Sequence, residues 1–300
     1  MLEIFGKEIS TRQLSCSMNG FESEKILPYI NFYVQVTNHC QANCPFCIYH
    51  NNESEEGKFD FVKYKEILQE LSKYPVKKFN FTGGEPLLFS WLFSEIVECT
   101  NDYFKKSNNI TEITLNTNGN SNWIFDVVPY SKYFDYIALS RHHYLDDKNY
   151  EIFETKSIIS ADNIVKFNKD IDCKLQLRCN LISGYIDSNE SIREYMNFWM
   201  DRDITDFGFV TLAPNNEYCK THQVQFNDLI KEDDDLITNF THKRIEDGEV
   251  YCACSNYVYK HNGTFATLYS RHFNHNTNTD NMLVYDGQYL RNGFNGDIIY

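Results

Sequence analysis

The chain has no long apolar run. None of its 300 residues falls in a stretch approaching the roughly 18 consecutive apolar residues of a membrane-spanning helix, so no membrane partner is expected. A secretory signal is missing too: Met1-Leu2-Glu3-Ile4-Phe5-Gly6-Lys7-Glu8 mixes charge with apolar residues from its first turn. Positive charge is scarce. Twenty-eight Lys and Arg face 42 Asp and Glu, a net charge of −14 with a pI near 5.1. A nucleic-acid backbone is bound by clustered Lys and Arg, so no nucleic-acid partner is expected. No internal repeat is visible, and no cysteine follows Cys254. These absences describe a cytoplasmic chain. In a reducing compartment, its ten cysteines favour metal or redox work over disulfides.

The residues present suit one large α/β domain with an extension. Hydrophobic residues make up 42% and aromatics 16%, enough for a sizeable core. Leu2 to Thr11 reads as a short hairpin turning at Gly6-Lys7. From Asn31 onward, strands alternate with helices. Strands are predicted at 31–38, 77–82, 111–116, 136–140, 173–182 and 205–211. Helices are predicted from Asp60, over 87–105, near 122–130, over 147–169 with a break, and from Ser188. Six such units imply a parallel sheet. After Pro214 the pattern changes to a polar, acidic stretch, including Lys231 to Asp235, and then a hairpin turning at Asn262-Gly263. The expected organisation is an N-terminal extension (1–30), a core (31–214) and a C-terminal cap (215–300). The fold class is α/β: a partial (β/α)6 TIM-like barrel with a short N-terminal hairpin and a C-terminal β-hairpin cap.

The first predicted strand of the core runs into Cys40-Gln41-Ala42-Asn43-Cys44-Pro45-Phe46-Cys47. Three thiolates on one loop can wrap a metal centre. A [4Fe–4S] cube normally takes four thiolates, so a three-cysteine loop leaves one iron open to another ligand. The competing reading is structural zinc, Cys3His, with His39 or His50 as fourth ligand. One βα unit downstream, a strand ends in Gly83-Gly84-Glu85-Pro86. Glycines permit close backbone approach, Pro86 suits a helix start, and Glu85 at a strand's C-terminal end can accept from an ammonium group.

Cys40, Cys44 and Cys47, with Phe46 before the last, resemble the signature of the radical S-adenosylmethionine (SAM) superfamily, and Gly83-Gly84-Glu85-Pro86 resembles its methionine-binding motif. The likeness covers about residues 30–215 and points toward the molybdenum-cofactor-cyclase and SPASM/twitch-like group. It implies one [4Fe–4S] cluster held by the three cysteines, and SAM chelating the open iron. It further implies a reductant such as flavodoxin or ferredoxin, and a 5′-deoxyadenosyl radical that takes a hydrogen atom from substrate. Phe46, Gly83, Gly84, Glu85, Asn118, Ser140, Arg178 and Asn180 are the implied SAM contacts. Relatives in that group carry cysteine-rich C-terminal extensions with auxiliary clusters. Here Cys219, Cys252 and Cys254 stand without the later cysteine such a hairpin holds.

For the chemistry on substrate, Arg141, His142 and His143 follow the fourth core strand at the rim where parallel sheets bind ligands. Arg141 is a candidate anion clamp, and a histidine a candidate proton carrier. Cys179 and Cys254 are candidate hydrogen-atom donors, against the alternative of buried apolar thiols. Strand alternation sets Gln176, Arg178 and Asn180 on one side, facing the barrel interior, where an arginine needs an anionic partner. No separate peptide-recognition domain is visible, which favours a small anionic substrate. A peptide epimerase or cross-linking maturase is the alternative, and a zinc-stabilised α/β binding protein the non-enzymatic one.

Overall fold

The computed structural model describes residues 2–11, 28–47, 59–104, 109–229, 256–269, 282–294 and 296–300. Cys16, His50, Lys231 to Asp235, Cys252 and Cys254 lie outside the described residues. The chain opens with an antiparallel pair, β1 (Leu2–Ile4) and β2 (Lys7–Ile9). Its turn sits at Phe5 and Gly6, both at positive φ.

The six predicted core strands are present: β3 (Ile30–Gln35), β4 (Val76–Thr82), β5 (Ile110–Thr117), β6 (Tyr136–Ser140), β7 (Lys174–Leu181) and β8 (Phe207–Thr211). Each pairs in parallel with the next. The connections carry α1 (Phe61–Leu71), α2 (Ser90–Phe104), a 3₁₀ stretch (Ile124–Tyr133), α3 (Asp146–Phe153), α4 (Ala161–Asp170) and α5 (Asn189–Met200). Short helices α6 (Glu217–Thr221) and α7 (Phe226–Leu229) follow β8. Side chains of Asp60, Ser160 and Ser188 cap α1, α4 and α5 by accepting backbone N–H bonds. The predicted helix at 122–130 is a 3₁₀ stretch with Pro129 inside it.

The C-terminal residues extend this sheet. β9 (Asn256–His261) and β10 (Thr264–Tyr269) form the predicted hairpin, with Asn262 and Gly263 at φ 46° and 81°. That positive pair is the signature of a type I′ turn. β10 lies parallel to β8, so the hairpin continues the sheet edge. Unforeseen in the sequence, β11 (Met282–Tyr285) lies parallel to β3 and turns into antiparallel β12 (Leu290–Asn292). The full order is β12-β11-β3-β4-β5-β6-β7-β8-β10-β9, a sheet of ten strands whose β12 edge is bridged by the C-terminal residues through Arg291 and Ile298.

Period-two alternation separates the two faces. On β7, Leu175, Leu177, Cys179 and Leu181 are buried while Gln176, Arg178 and Asn180 are partly exposed. The apolar set joins Phe32, Phe79, Phe81, Leu115, Leu139 and the inner faces of the helices in one core. Residues of the opposite face, drawn from β3 through β8, line a single cavity of about 410 Å³. One cavity walled by six strands requires the sheet to curl, and this is the partial barrel. Phe79, fully buried and 5.0 Å from Phe32 between ring centres, fills the outer core. Phe79→Ala is expected to lower unfolding free energy by about 3–5 kcal/mol, measured by urea denaturation.

Candidate active site

The cysteine loop is braced on every side by backbone bonds. The Gly84 N–H donates to Thr37 O at 2.7 Å, and the Glu85 N–H to His39 O at 2.8 Å. A Cβ at Gly83 would overlap the Thr37 carbonyl oxygen, and one at Gly84 that of His39. The two glycines are therefore required by the close approach of two chain segments, the loop after β3 and the loop after β4. Asn43 N–H donates to Phe153 O at 3.0 Å, and its side chain bonds Glu154 Oε2 at 2.5 Å, fixing the loop to the end of α3. Asn216 Nδ2 donates to Pro45 O at 2.9 Å, fixing it to the start of α6.

Cys40, Cys44 and Cys47 all line the cavity, with Phe46, Gly83, Gly84, Asn118, Ser140, Arg178 and Asn180. Cys40 Sγ accepts from Asn118 Nδ2 at 3.3 Å and from the Ala42 N–H at 3.4 Å. Burial pushes the Cys40 thiol up to about 11 and raises Cys44 as well, neighbouring thiols adding to the effect. Cys40 Sγ, offered two donors yet disfavoured as a bare anion, fits a site completed by a cationic metal centre, which takes thiolates. Among the described residues no group of three or more His, Cys, Asp or Glu is gathered around a point suited to one ion. His39 does not line the cavity; its ring sits against Phe89, 6.4 Å between centres. The donor set at the cavity wall is three thiols, as a cluster with one open iron needs.

Glu85 is fully buried and does not line the cavity. Its carboxylate accepts from Thr117 Oγ1 (2.6 Å), Asn118 N (2.7 Å) and Leu87 N (3.0 Å). Burial raises its pKa to about 7 against the pull of those three bonds. The carboxylate therefore clasps the loop after β5 to the loop after β4.

The cluster of polar residues after β6 divides. Arg141, 1% exposed, is turned away from the cavity: it pairs with Asp146 at 2.6 Å and donates to Tyr144 O and Ile159 O. His143 is also outside, its Nδ1 accepting from Leu145 N. His142 does line the cavity, clamped between Phe153 (stacked, 4.8 Å) and Phe46 (edge-on, 5.2 Å). Its Nδ1 accepts from the Asn180 N–H at 3.0 Å, which places the ring proton on Nε2. Burial, helped by Arg141, lowers its pKa to about 3, and burial with Arg141 and Lys148 lowers His143 to about 4. Both are neutral near pH 7, so neither carries a proton there as an imidazolium. Cys179 faces the helix-side core at 0% exposure, because its position on β7 alternates with Arg178 and Asn180.

Several cavity residues were not singled out in the sequence, Lys78, Tyr33 and Asn80 among them, while Cys219, named there beside Cys252 and Cys254, also lines the cavity. For β4 the signal was there, since Lys78, Asn80 and Thr82 alternate with buried Phe79 and Phe81. Lys78 and Arg178 meet on one oxygen: Lys78 Nζ donates to Tyr136 OH at 2.8 Å and Arg178 to the same atom at 3.1 Å. Lys78 also pairs with Glu112 at 3.2 Å, and Arg178 Nε donates to Gln176 Oε1 at 2.9 Å. No Asp or Glu among the described residues lines the cavity.

Residues 34–162 match the family model of the radical SAM superfamily. Among curated proteins it is similar to an S-adenosylmethionine-dependent nucleotide dehydratase of Flammeovirga pacifica, 26% identical over 57% of this chain and 59% of that one. It is also similar to a GTP 3′,8-cyclase of Chlorobaculum tepidum, 29% identical over 29% of this chain and 24% of that one. The matches thus span less than two thirds of either relative's length. Among solved structures, Streptococcus suis SuiB bound to S-adenosylmethionine superposes with a TM-score of 0.51 at 18% identity. That superposition covers 69% of this chain and 44% of SuiB. At that identity the likeness is one of fold.

His142 is expected to show the neutral Nε2–H tautomer by ¹⁵N NMR throughout pH 5 to 8. The sign follows from burial: below about 6.5 the unfolded imidazole takes up a proton that the folded one refuses, so stability falls with acid. A folded-state midpoint near 6.5 would contradict the placement. Gly84→Ala is expected to force the two loops apart, read as a loss of more than half the iron retained after anaerobic reconstitution.

Proposed function

We propose that this protein is a radical SAM enzyme that acts on a phosphate-bearing small molecule, a nucleotide being the class favoured. The observation that carries the reading is the cavity. Its lining holds three thiols, the Gly83-Gly84 turn and two cations, Lys78 and Arg178, with no carboxylate among the described residues, in a chain of net charge −14. When bound, the cluster and SAM supply reductive cleavage of the sulfonium and, through the 5′-deoxyadenosyl radical, removal of a hydrogen atom from substrate.

The protein's own part is placement. Cys40, Cys44 and Cys47 hold the cluster at the rim, and Gly83, Gly84, Ser140 and Asn180 line the wall beside it. Along a strand rising ~3.3 Å per residue, Lys78 lies roughly 16 Å below Gly83. Lys78, joined to Arg178 through the Tyr136 hydroxyl, is offered to the anionic end of a second molecule. Lys78 and Arg178 donate to its oxygens, a charge-assisted recognition stronger than neutral bonding. His142 offers a neutral N–H donor fixed by the Asn180 bond, and Phe46 and Phe153 keep that wall apolar. The names of the two curated relatives, a nucleotide dehydratase and a GTP cyclase, favour a nucleotide. A peptide substrate is the second reading, suggested by SuiB bound to its precursor peptide at TM-score 0.51, a likeness of fold alone.

The test is anaerobic reconstitution followed by incubation with SAM, dithionite and each of the nucleoside triphosphates, tracking 5′-deoxyadenosine. One nucleotide is expected to raise its formation at least tenfold. Lys78→Met and Arg178→Met are each expected to raise that nucleotide's KM by tenfold or more, with iron content unchanged. Cys44→Ala is expected to abolish both iron binding and SAM cleavage. Iron-loaded protein that cleaves SAM equally with and without every nucleotide would overturn the substrate class.

A further inference from the structure

Asn118 sits just beyond β5, on the loop that Glu85 clasps, and its side chain spans the gap to the cysteine loop. Its Nδ2 donates to Cys40 Sγ at 3.3 Å, and its Oδ1 accepts from Gln41 Nε2 at 2.7 Å. The orientation of these amides follows from their partners. Gln41 Nε2 also donates to the Ser157 carbonyl at 3.3 Å. A carbonyl oxygen only accepts, so Gln41 must present its nitrogen there. Gln41 can then donate only to the oxygen of Asn118, and the Asn118 nitrogen is left facing the sulfur. The backbone is fixed as well, since the Asn118 N–H donates to Glu85 Oε2 at 2.7 Å.

We propose that Asn118 is the hydrogen-bond donor that sets the reduction potential of the cluster through the Cys40 thiolate, and that Gln41 and Glu85 are positioning residues that hold it there. The proposal rests on the reading of Cys40, Cys44 and Cys47 as cluster ligands. A donor to a ligating sulfur withdraws electron density from it. The reduced cluster carries one more negative charge than the oxidised, so the donor stabilises the reduced form more and raises the potential. The Ala42 N–H, 3.4 Å from the same sulfur, acts in the same direction but belongs to the loop itself. Asn118 is the part of this arrangement that a side-chain change can remove. A SAM contact, the role the resemblance implies for Asn118, would occupy the same amide N–H in a different bond and leave the cluster's potential alone.

The test is an EPR-monitored redox titration of anaerobically reconstituted protein without SAM, so that turnover plays no part. Asn118→Asp keeps the shape of the side chain and the bond from Gln41 while removing the donor to sulfur; Asn118→Leu removes it without adding charge. Both are expected to retain wild-type iron and to show a more negative midpoint potential, with Asp the further shifted. Unchanged potentials in both Asn118 variants, whatever their SAM affinity, would overturn the proposal while leaving the proposed function standing. Wild-type protein that takes up no iron would overturn both.

Discussion

Two backbone hydrogen bonds, Gly84 N–H to Thr37 O and Glu85 N–H to His39 O, hold the site together. They fasten the loop that carries the cysteines to the loop that carries the glycines, and any side chain at Gly83 or Gly84 would push the two apart. Everything else at the rim is built outward from that seam. Glu85 extends it to the loop after β5, Asn118 returns from there to Cys40, and Asn43 and Asn216 tie the far side to α3 and α6. Loops that bind a cofactor are ordinarily the mobile part of an α/β fold. Here the loops after β3, β4 and β5, with α3 and α6, share one network of hydrogen bonds.

The cavity adds a second constraint. An acidic chain has walled its interior with Lys78, Arg178 and phenols, and kept Glu112 and Asp206 as outer partners of that floor. Glu112 reaches Lys78, and Asp206 accepts from Gln176, which in turn accepts from Arg178. The cations are thereby held in place by bonds below while their charge stays open to the cavity above. Buried charge without such support would cost several kcal/mol. The same economy explains Arg141, whose position on the loop suggested a substrate clamp. Its two terminal nitrogens are held by Asp146 at 2.6 Å and two carbonyls within the protein, and it ties the loop after β6 to α3.

How far the sequence was legible depended on the range of the interaction concerned. The six core strands, their caps and the Asn262-Gly263 turn declared themselves through local rules of period, capping and positive φ. The cysteine spacing and Gly83-Gly84 did so through a resemblance carried by a few contiguous residues. What escaped was set by tertiary pairing. β11 is a short strand whose partner β3 lies some 250 residues earlier. The burial of Glu85 depends on Thr117 and Asn118, 32 and 33 positions away. Cys179 against Arg178 was an opposite case: strand alternation assigns the thiol to the core and the guanidinium to the cavity, and only the chemistry of a cysteine drew attention to it. Lys78 was legible by the same alternation, between two phenylalanines.

The central claim is that three thiolates hold a four-iron cluster whose remaining iron is free to bind SAM. ⁵⁷Fe Mössbauer spectroscopy of the reconstituted protein, recorded with and without SAM, tests it most directly. The account predicts a [4Fe–4S] spectrum in which SAM shifts one iron site of the four and leaves the other three. A spectrum indifferent to SAM, or a protein that takes up zinc and no iron, would contradict it.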